Sequence, residues 1–85
     1  MNIALEGRLD SNTTVQLEKE LRGRTDDISE LVIDLEKLVY ISSSGLRLFL
    51  GIHKALKGNM RIIRANDDVR QVFEVTGLCA SLNLE

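Results

Sequence analysis

The sequence lacks the residues on which disulfides, metal sites and most nucleophilic catalysis depend. Among 85 residues there is one cysteine, Cys79, and one histidine, His53, with no proline and no tryptophan. A single cysteine forms no intrachain disulfide, and no His and Cys residues have the spacing of a metal site. A free thiol fits a reducing compartment, so we expect a cytoplasmic protein without metal or other cofactor, in which Cys79 is a small apolar residue.

Strongly basic segments and long apolar segments are also missing. Thirteen acidic and eleven basic residues give a formal net charge of −2, and the aromatic residues are one tyrosine and two phenylalanines. Nucleic-acid binding normally requires a basic face with aromatic or arginine contacts to bases, so we expect no nucleic-acid partner. The segment 1–7 has neither the basic stretch nor the long apolar run of a signal peptide or membrane span, and we expect no membrane partner.

The apolar residues that are present alternate between strand-like and helix-like spacing along the whole chain. The first half of the chain is expected to form a strand from Ile3 to Leu9, a helix over Thr14–Arg22 ended by Gly23, a loop at 24–27 and a strand from Leu31. The second half is expected to form a helix from Leu46 to a cap at Gly58 and Asn59, then a strand over Met60–Ala65. A third helix, capped by Asn66 and ended by Gly77, and a last strand or tail at Leu82 and Leu84 complete the expected elements. This order predicts one α/β domain over residues 1–85 with the topology β-α-β-α-β-α-(β). Right-handed crossovers give parallel neighbours, so we expect a mixed, mainly parallel sheet packed against helices.

The same spacing indicates which helix faces are buried. In the first helix, Val15, Leu17 and Leu21 form the expected core stripe. The helix that starts at Leu46 is apolar over more than half of its circumference, so we expect it to be largely buried. The continuous apolar run that begins the second strand is typical of a strand covered on both faces.

Three consecutive serines and a glycine, Ser42 to Gly45, mark the turn from a strand-like segment into the second helix. One interpretation is structural, because serine is a good N-cap and glycine permits close packing in the first turn. The other is functional, because a hydroxyl at a helix N-terminus is a suitable phosphate acceptor. The free N–H groups there stabilise the added charge of about −1.5 to −2. The residues alone leave both interpretations open.

Catalysis by these serines is excluded by the position of the histidine. A nucleophilic serine needs a base within hydrogen-bond reach, about 3 Å. His53 follows Ser43 by ten residues, which is roughly 15 Å along a helix. The Gly-x-Ser-x-Gly elbow and the glycine-rich phosphate-binding motifs are also absent. We therefore expect no enzyme activity, and we predict that His53 is a partly buried or rim residue.

Two pairs of carboxylates are predicted to be surface or capping charges. Asp34 and Glu36 occupy alternate strand positions with nothing complementary in the nearby sequence, which is typical of solvent or loop charges. Asp67 and Asp68 follow the capping Asn66, where negative charge stabilises the first turn of a helix. Neither pair is expected to bind a metal.

Three segments together resemble the STAS domain family. The stretch Val32–Leu46 resembles the family's signature, in which a hydrophobic strand ends in Asp-Leu and, after a spacer, Asp-Ser-Ser/Thr-Gly-Leu opens a helix. Gly7–Asp10 is similar to the family's Gly-x-Leu-Asp, and Val69–Leu78 is similar to its final helix, which ends in Thr-Gly-Leu. The resemblance covers nearly the whole chain, and three matches in the correct order are more specific than any one alone.

The resemblance implies that the chain is an anti-sigma-factor antagonist. Antagonists of this family bind an anti-sigma factor that is itself a serine kinase, and so free a sigma factor for transcription. Phosphorylation of the antagonist blocks rebinding, and a phosphatase resets the switch. By position the implied phosphate acceptor is Ser43, with Ser42 and Ser44 as the alternatives. The implied partner-binding residues are Asp10, Ser42, Ser43, Ser44, Gly45 and Arg47, and the expected state is a monomer or weak homodimer.

One departure from the family pattern keeps a second function open. Ser42 stands where the family has aspartate, so the negative charge beside Ser43 is missing. This departure favours a STAS-like interaction or scaffold domain without phosphoregulation, within a larger signalling assembly. The retained Ser43–Leu46 favours the antagonist. Relative to many members, the sequence also lacks a strand before Ile3 and a longer tail after Leu84, so we expect a compact version of the domain.

Overall fold

Three strands and three helices alternate along the chain. The computed structural model describes residues 1–21, 24, 28–78, 82 and 84–85. Its elements are β1 (Asn2–Leu9), α1 (Ser11–Leu21), β2 (Leu31–Ile41), α2 (Ser43–Ala55), β3 (Met60–Ile63) and α3 (Asp67–Thr76). The strands pair in the order β1-β2-β3, and both pairs are parallel. The predicted α/β topology is confirmed, and across the described ranges every strand pair in the sheet is parallel.

The core surrounds β2, the central strand. Leu31, Ile33 and Leu35 of this strand are all 0% exposed, as its continuous apolar run predicts. Phe49 of α2 and Phe73 of α3 are equally buried, and their rings stack with 6.4 Å between centroids. Stacked rings stabilise the fold beyond the contribution that comes from burying their apolar surface. This contact joins α2 to α3 within the core.

The first helix begins earlier than predicted and buries a different set of residues. α1 starts at Ser11, because Asp10 caps it directly after β1. Its buried residues are Thr14, Leu17 and Leu21. The prediction that Val15 is buried is wrong, since its side chain is 50% exposed. Neighbouring positions on a helix differ by about 100°, so Val15 points away from the stripe that contains Thr14.

The second helix, α2, has a packed face and an open face. The packed face consists of Gly45, Leu46, Phe49 and Ile52, which are buried. The open face consists of Arg47, Gly51 and Ala55, which are exposed, and Leu48, which is half-buried. The prediction that this helix is largely buried is wrong for the open face, because a groove separates that face from α1.

The predicted end of α3 is confirmed, whereas α2 ends earlier than predicted, at Ala55, with Leu56 as its C-cap and Lys57 as the first left-handed residue. Gly58 follows α2 with φ of 87°, and Gly77 ends α3 with φ of 77°, both in the left-handed region that glycine tolerates. Asn66 caps α3, since its Oδ1 accepts a hydrogen bond from the N–H of Val69 at 2.9 Å. The Asn66 side-chain amide also donates to the carbonyl oxygen of Leu38 at 2.8 Å, which ties the start of α3 to β2.

The third strand is shorter than predicted. β3 ends at Ile63 because Arg64 adopts a left-handed backbone conformation with φ of 59°. The chain later returns to this strand, where Leu84 forms an isolated parallel bridge with Ile62. The predicted last strand is thus a single bridge in the part of the tail that is described. Predictions for Arg22, Gly23, residues 25–27 and Cys79 fall outside the described residues.

Asp34 and Glu36 have a partner that the sequence prediction missed. The parallel register of β2 and β3 places Ile63 opposite Asp34, which brings Arg64 beside both carboxylates. Arg64 bonds to the Asp34 carboxylate through Nη2, and its Nη1 lies 3.3 Å from Oε2 of Glu36. The pKa of Asp34 is lowered, first by the backbone N–H of Glu36 and then by Arg64. The prediction that these carboxylates have no complementary charge is wrong, because Arg64 directly follows the neighbouring strand β3.

Candidate functional site

The end of β1 and the start of α2 lie side by side at one edge of the sheet. The two strands are parallel, with Leu9 opposite Ile41, so their carboxyl ends reach the same edge. The N–H of Ser42 donates to the carbonyl oxygen of Leu9 at 2.9 Å. The fold therefore brings Asp10, which follows β1, together with the segment Ser42–Arg47.

Gly45 allows the first turn of α2 to approach this edge closely. It is buried, and a Cβ at this position would lie 2.8 Å from Cδ2 of Leu9 and 3.0 Å from Cγ1 of Ile41. Carbon atoms do not pack at such distances, so a side chain here would force α2 or its neighbours to move. The glycine therefore has a steric role that sets where the serines lie relative to the strands.

The three serine hydroxyls have different surroundings. Ser42 is the N-cap of α2, and its Oγ accepts a hydrogen bond from the N–H of Gly45 at 3.3 Å. Ser44 is half-buried and lines the groove beside α1. Ser43 is exposed, and its side chain has no hydrogen bond to any described residue. Of the three, the Ser43 hydroxyl is the one that is free to meet a partner or a modifying enzyme.

Asp10 is engaged in capping α1. Its Oδ1 accepts hydrogen bonds from the backbone N–H groups of Asn12 and Thr13, at 3.0 and 3.1 Å. The N–H of Asp10 in turn donates to Oγ1 of Thr13 at 2.9 Å, a reciprocal arrangement similar to a capping box. The backbone N–H of Thr13 is the largest cause of a lowered pKa of the Asp10 carboxyl. A contact between Asp10 and a partner stays a prediction.

Arg47 extends the site along α2. It is exposed, and no ion pair with another described residue includes it. Because Arg47 follows Ser43 by four residues in a helix, the two side chains lie on the same side, one turn apart. A negative charge placed on Ser43 would therefore meet both the helix N-terminus and a guanidinium group.

Sequence reasoning missed an exposed pair of residues beside the serines. Arg8 of β1 lies opposite Tyr40 of β2, and its guanidinium carbon is 4.2 Å from the centre of the tyrosine ring. Tyr40 is 40% exposed and the preceding Val39 is 65% exposed, although β2 is the central strand. The apolar run Leu38–Ile41 contains no polar residue to mark this face. Aromatic and arginine side chains are enriched at protein interfaces, so the pair is a candidate contact for a partner.

The remaining candidates lie away from this edge. His53 is half-buried in the last turn of α2, as predicted, and a Cβ on Gly58 would lie 3.9 Å from its ring. Among the residues that the structure describes, no three His, Cys, Asp or Glu side chains are grouped so that they could hold a metal ion. Over the same ranges, no helix has the length and apolarity needed to cross a membrane.

Comparison with known proteins places the chain in a family. The family model of the STAS domain matches residues 1–85. The anti-sigma-B factor antagonist of Staphylococcus aureus (strain NCTC 8325 / PS 47) is 36% identical in an alignment 80 residues long, which covers 89% of this chain and 74% of the relative.

Two solved structures have the same fold. The anti-sigma factor antagonist SpoIIAA in its unphosphorylated form matches with a TM-score of 0.87 at 25% identity, over 99% of this chain and 76% of SpoIIAA. The phosphorylated form of SpoIIAA, a Bacillus cell fate determinant, matches with a TM-score of 0.77 at 24% identity, over 99% of this chain and 78% of that one. The chain thus belongs to the STAS domain family, as its three sequence motifs predict.

Proposed function

We propose that this chain is an anti-sigma-factor antagonist that is switched off by phosphorylation of Ser43. The unmodified chain binds an anti-sigma factor that is also a serine kinase, and so frees a sigma factor for transcription in the cytoplasm. The kinase then phosphorylates Ser43, the complex dissociates, and a phosphatase restores the active form. The chain acts by binding and contributes no catalytic group of its own. Support comes from the STAS family match and from the antagonists to which the chain is similar.

The observation that carries this proposal is the exposed Ser43 hydroxyl at the N-terminus of α2. Ser42 already uses its hydroxyl as the cap, and Ser44 is half-buried. A kinase can reach Ser43 without opening the helix, and the helix N-terminus stabilises the dianion that results. Modification therefore changes the surface while the fold stays intact.

Phosphorylation at this position provides a physical basis for release. A partner that covers this edge of the sheet would meet Ser43, which is exposed and follows the exposed Tyr40 by three residues. Burying a phosphate in such an interface without a counter-charge from the partner carries a large desolvation penalty. The unmodified hydroxyl carries no such penalty, so the two forms differ in affinity.

A second candidate function is an interaction domain without phosphoregulation, acting in a larger signalling assembly. The observation that favours it is the neutral cap of α2. The Ser42 hydroxyl accepts a long hydrogen bond, 3.3 Å, from the N–H of Gly45. No acidic residue lies in the first turn of the helix. A kinase that recognises a carboxylate beside its acceptor would not find one here.

Phosphate transfer followed by intact-mass spectrometry separates the two candidates. The purified chain is incubated with ATP and, in turn, with each anti-sigma factor kinase of its own cell, and modified residues are mapped by fragmentation. We expect one added phosphate on the wild type and on the control variant Ser44→Ala, and none on Ser43→Ala.

Two results would contradict the proposal. If an active kinase binds the chain and transfers no phosphate, the unregulated interaction domain is the better description. If the phosphate lies on Ser42 or Ser44, the assignment of the acceptor to Ser43 is wrong. Binding of each kinase is measured before ATP is added, so that a failure to bind is distinguished from a failure to phosphorylate.

A further inference from the structure

A groove of about 620 Å³ lies between α1 and α2. Its lining is mainly apolar and includes Val15 and Leu21 of α1 and Leu48, Gly51, Ile52 and Ala55 of α2. Ser11, Ser44 and Arg47 line it on the side of the helix starts, and Thr14 and Glu18 line it further along α1. The groove therefore begins next to Ser43 and continues along the open face of α2.

The walls of the groove leave apolar surface in water. Val15 is 50% exposed, Ala55 is exposed, and Leu48 is half-buried. Apolar groups with this degree of exposure gain free energy when a partner covers them.

Gly51 leaves space in the middle of the groove. Apart from its chain neighbours and the nearby backbone of α2 itself, no described atom lies within 4 Å of the position where its Cβ would be, and its backbone is ordinary helix. Glycine is unfavourable inside a helix compared with alanine, so the isolated chain gains nothing from it. A missing side chain at this position does, however, allow a second helix to approach α2 closely.

We propose that this groove binds an amphipathic helix of the anti-sigma factor, with an acidic side chain of that helix paired to Arg47. The proposal rests on the function proposed above and identifies the part of the partner that is recognised. The walls of the groove are two helices and no strand edge, so a partner cannot add to the sheet there. Apolar side chains spaced at i, i+4 and i+7 on one helix face match such a groove.

Two features make the anti-sigma factor the occupant. The groove is continuous with the Ser43 edge, because Ser44 and Arg47 belong to both. A partner that senses the state of Ser43 must cover that edge, and it then lies over the entrance of the groove. Arg47 is exposed, without an ion pair to any described residue, and attracts an acidic group there.

The position of Arg47 also couples the groove to the switch. A phosphate on Ser43 lies four residues before Arg47 on the same side of α2, the favourable order for a pair of opposite charges in a helix. A charge-assisted bond to the phosphate withdraws Arg47 from the acidic side chain of the partner. The same phosphate repels that side chain.

Filling the groove tests the proposal. Gly51→Leu places a large side chain in the open space, and Gln16→Leu adds the same side chain at an exposed position of α1 outside the groove. The affinity of each variant is measured by titration calorimetry against the anti-sigma factor that the unmodified wild type binds. We expect Gly51→Leu to bind at least about tenfold more weakly, as for a central interface position, and Gln16→Leu to bind as the wild type does.

A charge variant keeps the test independent of folding. Arg47→Glu changes an exposed residue, so it leaves the fold intact, and we expect a loss of affinity of about tenfold, typical of a close charge pair. Circular dichroism of each variant checks its helix content.

Three results would overturn the groove as the docking site. If Gly51→Leu and Arg47→Glu bind as tightly as the wild type while a phosphate on Ser43 still releases the partner, the antagonist function stands and the groove is not used. If sedimentation shows that Gly51→Leu alters self-association and leaves partner affinity unchanged, a second copy occupies the groove. If the unmodified wild type binds no anti-sigma factor, both proposals are wrong.

Discussion

Two glycines six residues apart on α2 show how differently the two faces of this helix are constrained. Gly45 lies on the packed face, where a Cβ would be 2.8 Å from the side chain of Leu9. Gly51 lies on the open face, where no described atom beyond its chain neighbours and the nearby backbone of α2 is within 4 Å of the same position. The first glycine is required by packing within the chain, whereas the second is not. A residue that the fold does not require is a better indicator of function than one that it does.

The largest effect is expected on the packed face, from Phe49→Ala. Phe49 is 0% exposed and stacks on Phe73, so removing its ring leaves a cavity and is expected to lower the free energy of unfolding by roughly 3–5 kcal/mol. Leu48→Ala on the open face is the matched control, with an expected loss of about 1 kcal/mol or less because Leu48 is only half-buried. Urea denaturation measures both. Similar losses for the two variants would remove the distinction between the faces.

The two glycines themselves provide the second test. Gly45→Ala is expected to destabilise the chain by about 1–3 kcal/mol, because the added methyl group overlaps Leu9 and Ile41. Gly51→Ala is expected to stabilise it by about 0.5–1 kcal/mol, because alanine favours the helix and meets nothing. Thermal unfolding monitored by circular dichroism gives both changes. If the two substitutions have the same sign, the packing assigned to one of these positions is wrong.

The sequence predicts the packed parts of this molecule well because local physics determines them. The sequence predicts that Asn66 caps α3 and that Gly77 ends it, and both bond to backbone groups within a few residues. The family resemblance likewise implies that Asp10 and the serines bind a partner, and the structure brings them to one edge because β1 and β2 are parallel. Each of these conclusions needs only neighbours in sequence or the direction of a strand.

The open parts are less predictable because they depend on how elements pack together. Val15 was expected in the core because it is apolar, yet the stripe that faces inward at that level of α1 contains Thr14. The partner of Asp34, Arg64, follows the neighbouring strand and is 30 residues away in sequence. The groove has no motif, since it exists only through the spacing of α1 and α2. A pattern of apolar residues predicts which side chains favour burial, whereas the packing of helices and strands against each other decides which of them are buried.

A smaller effect is expected under the groove, from Thr14→Val. Thr14 is 5% exposed, and its Oγ1 is buried with no hydrogen-bond partner among the described residues. A buried hydroxyl without a partner is unfavourable, so a methyl group of the same shape is expected to raise the free energy of unfolding by about 1 kcal/mol. Chemical denaturation of Thr14→Val measures the change, and Thr13→Val is the contrasting variant, because Oγ1 of Thr13 is bonded to Asp10 and Arg8. A loss of stability in Thr14→Val would mean that this hydroxyl is satisfied.

The smallest effect is expected at Ser43, where the open face of α2 begins. No acidic residue lies in the first turn of α2, so Ser43→Asp adds a negative charge where the helix N-terminus favours it. This charge is expected to raise the free energy of unfolding by about 0.3–1 kcal/mol. Pairing with Arg47 one turn later adds about 0.2–0.5 kcal/mol. A double-mutant cycle with Arg47→Ala separates the two contributions, and it is measured by thermal unfolding at low and high salt, because salt screens both.

A more stable Ser43→Asp variant that binds the anti-sigma factor less tightly would show that the charge acts on the interface and not on the fold. A less stable one would mean that the end of α2 is already satisfied and that release proceeds through a change in the helix itself.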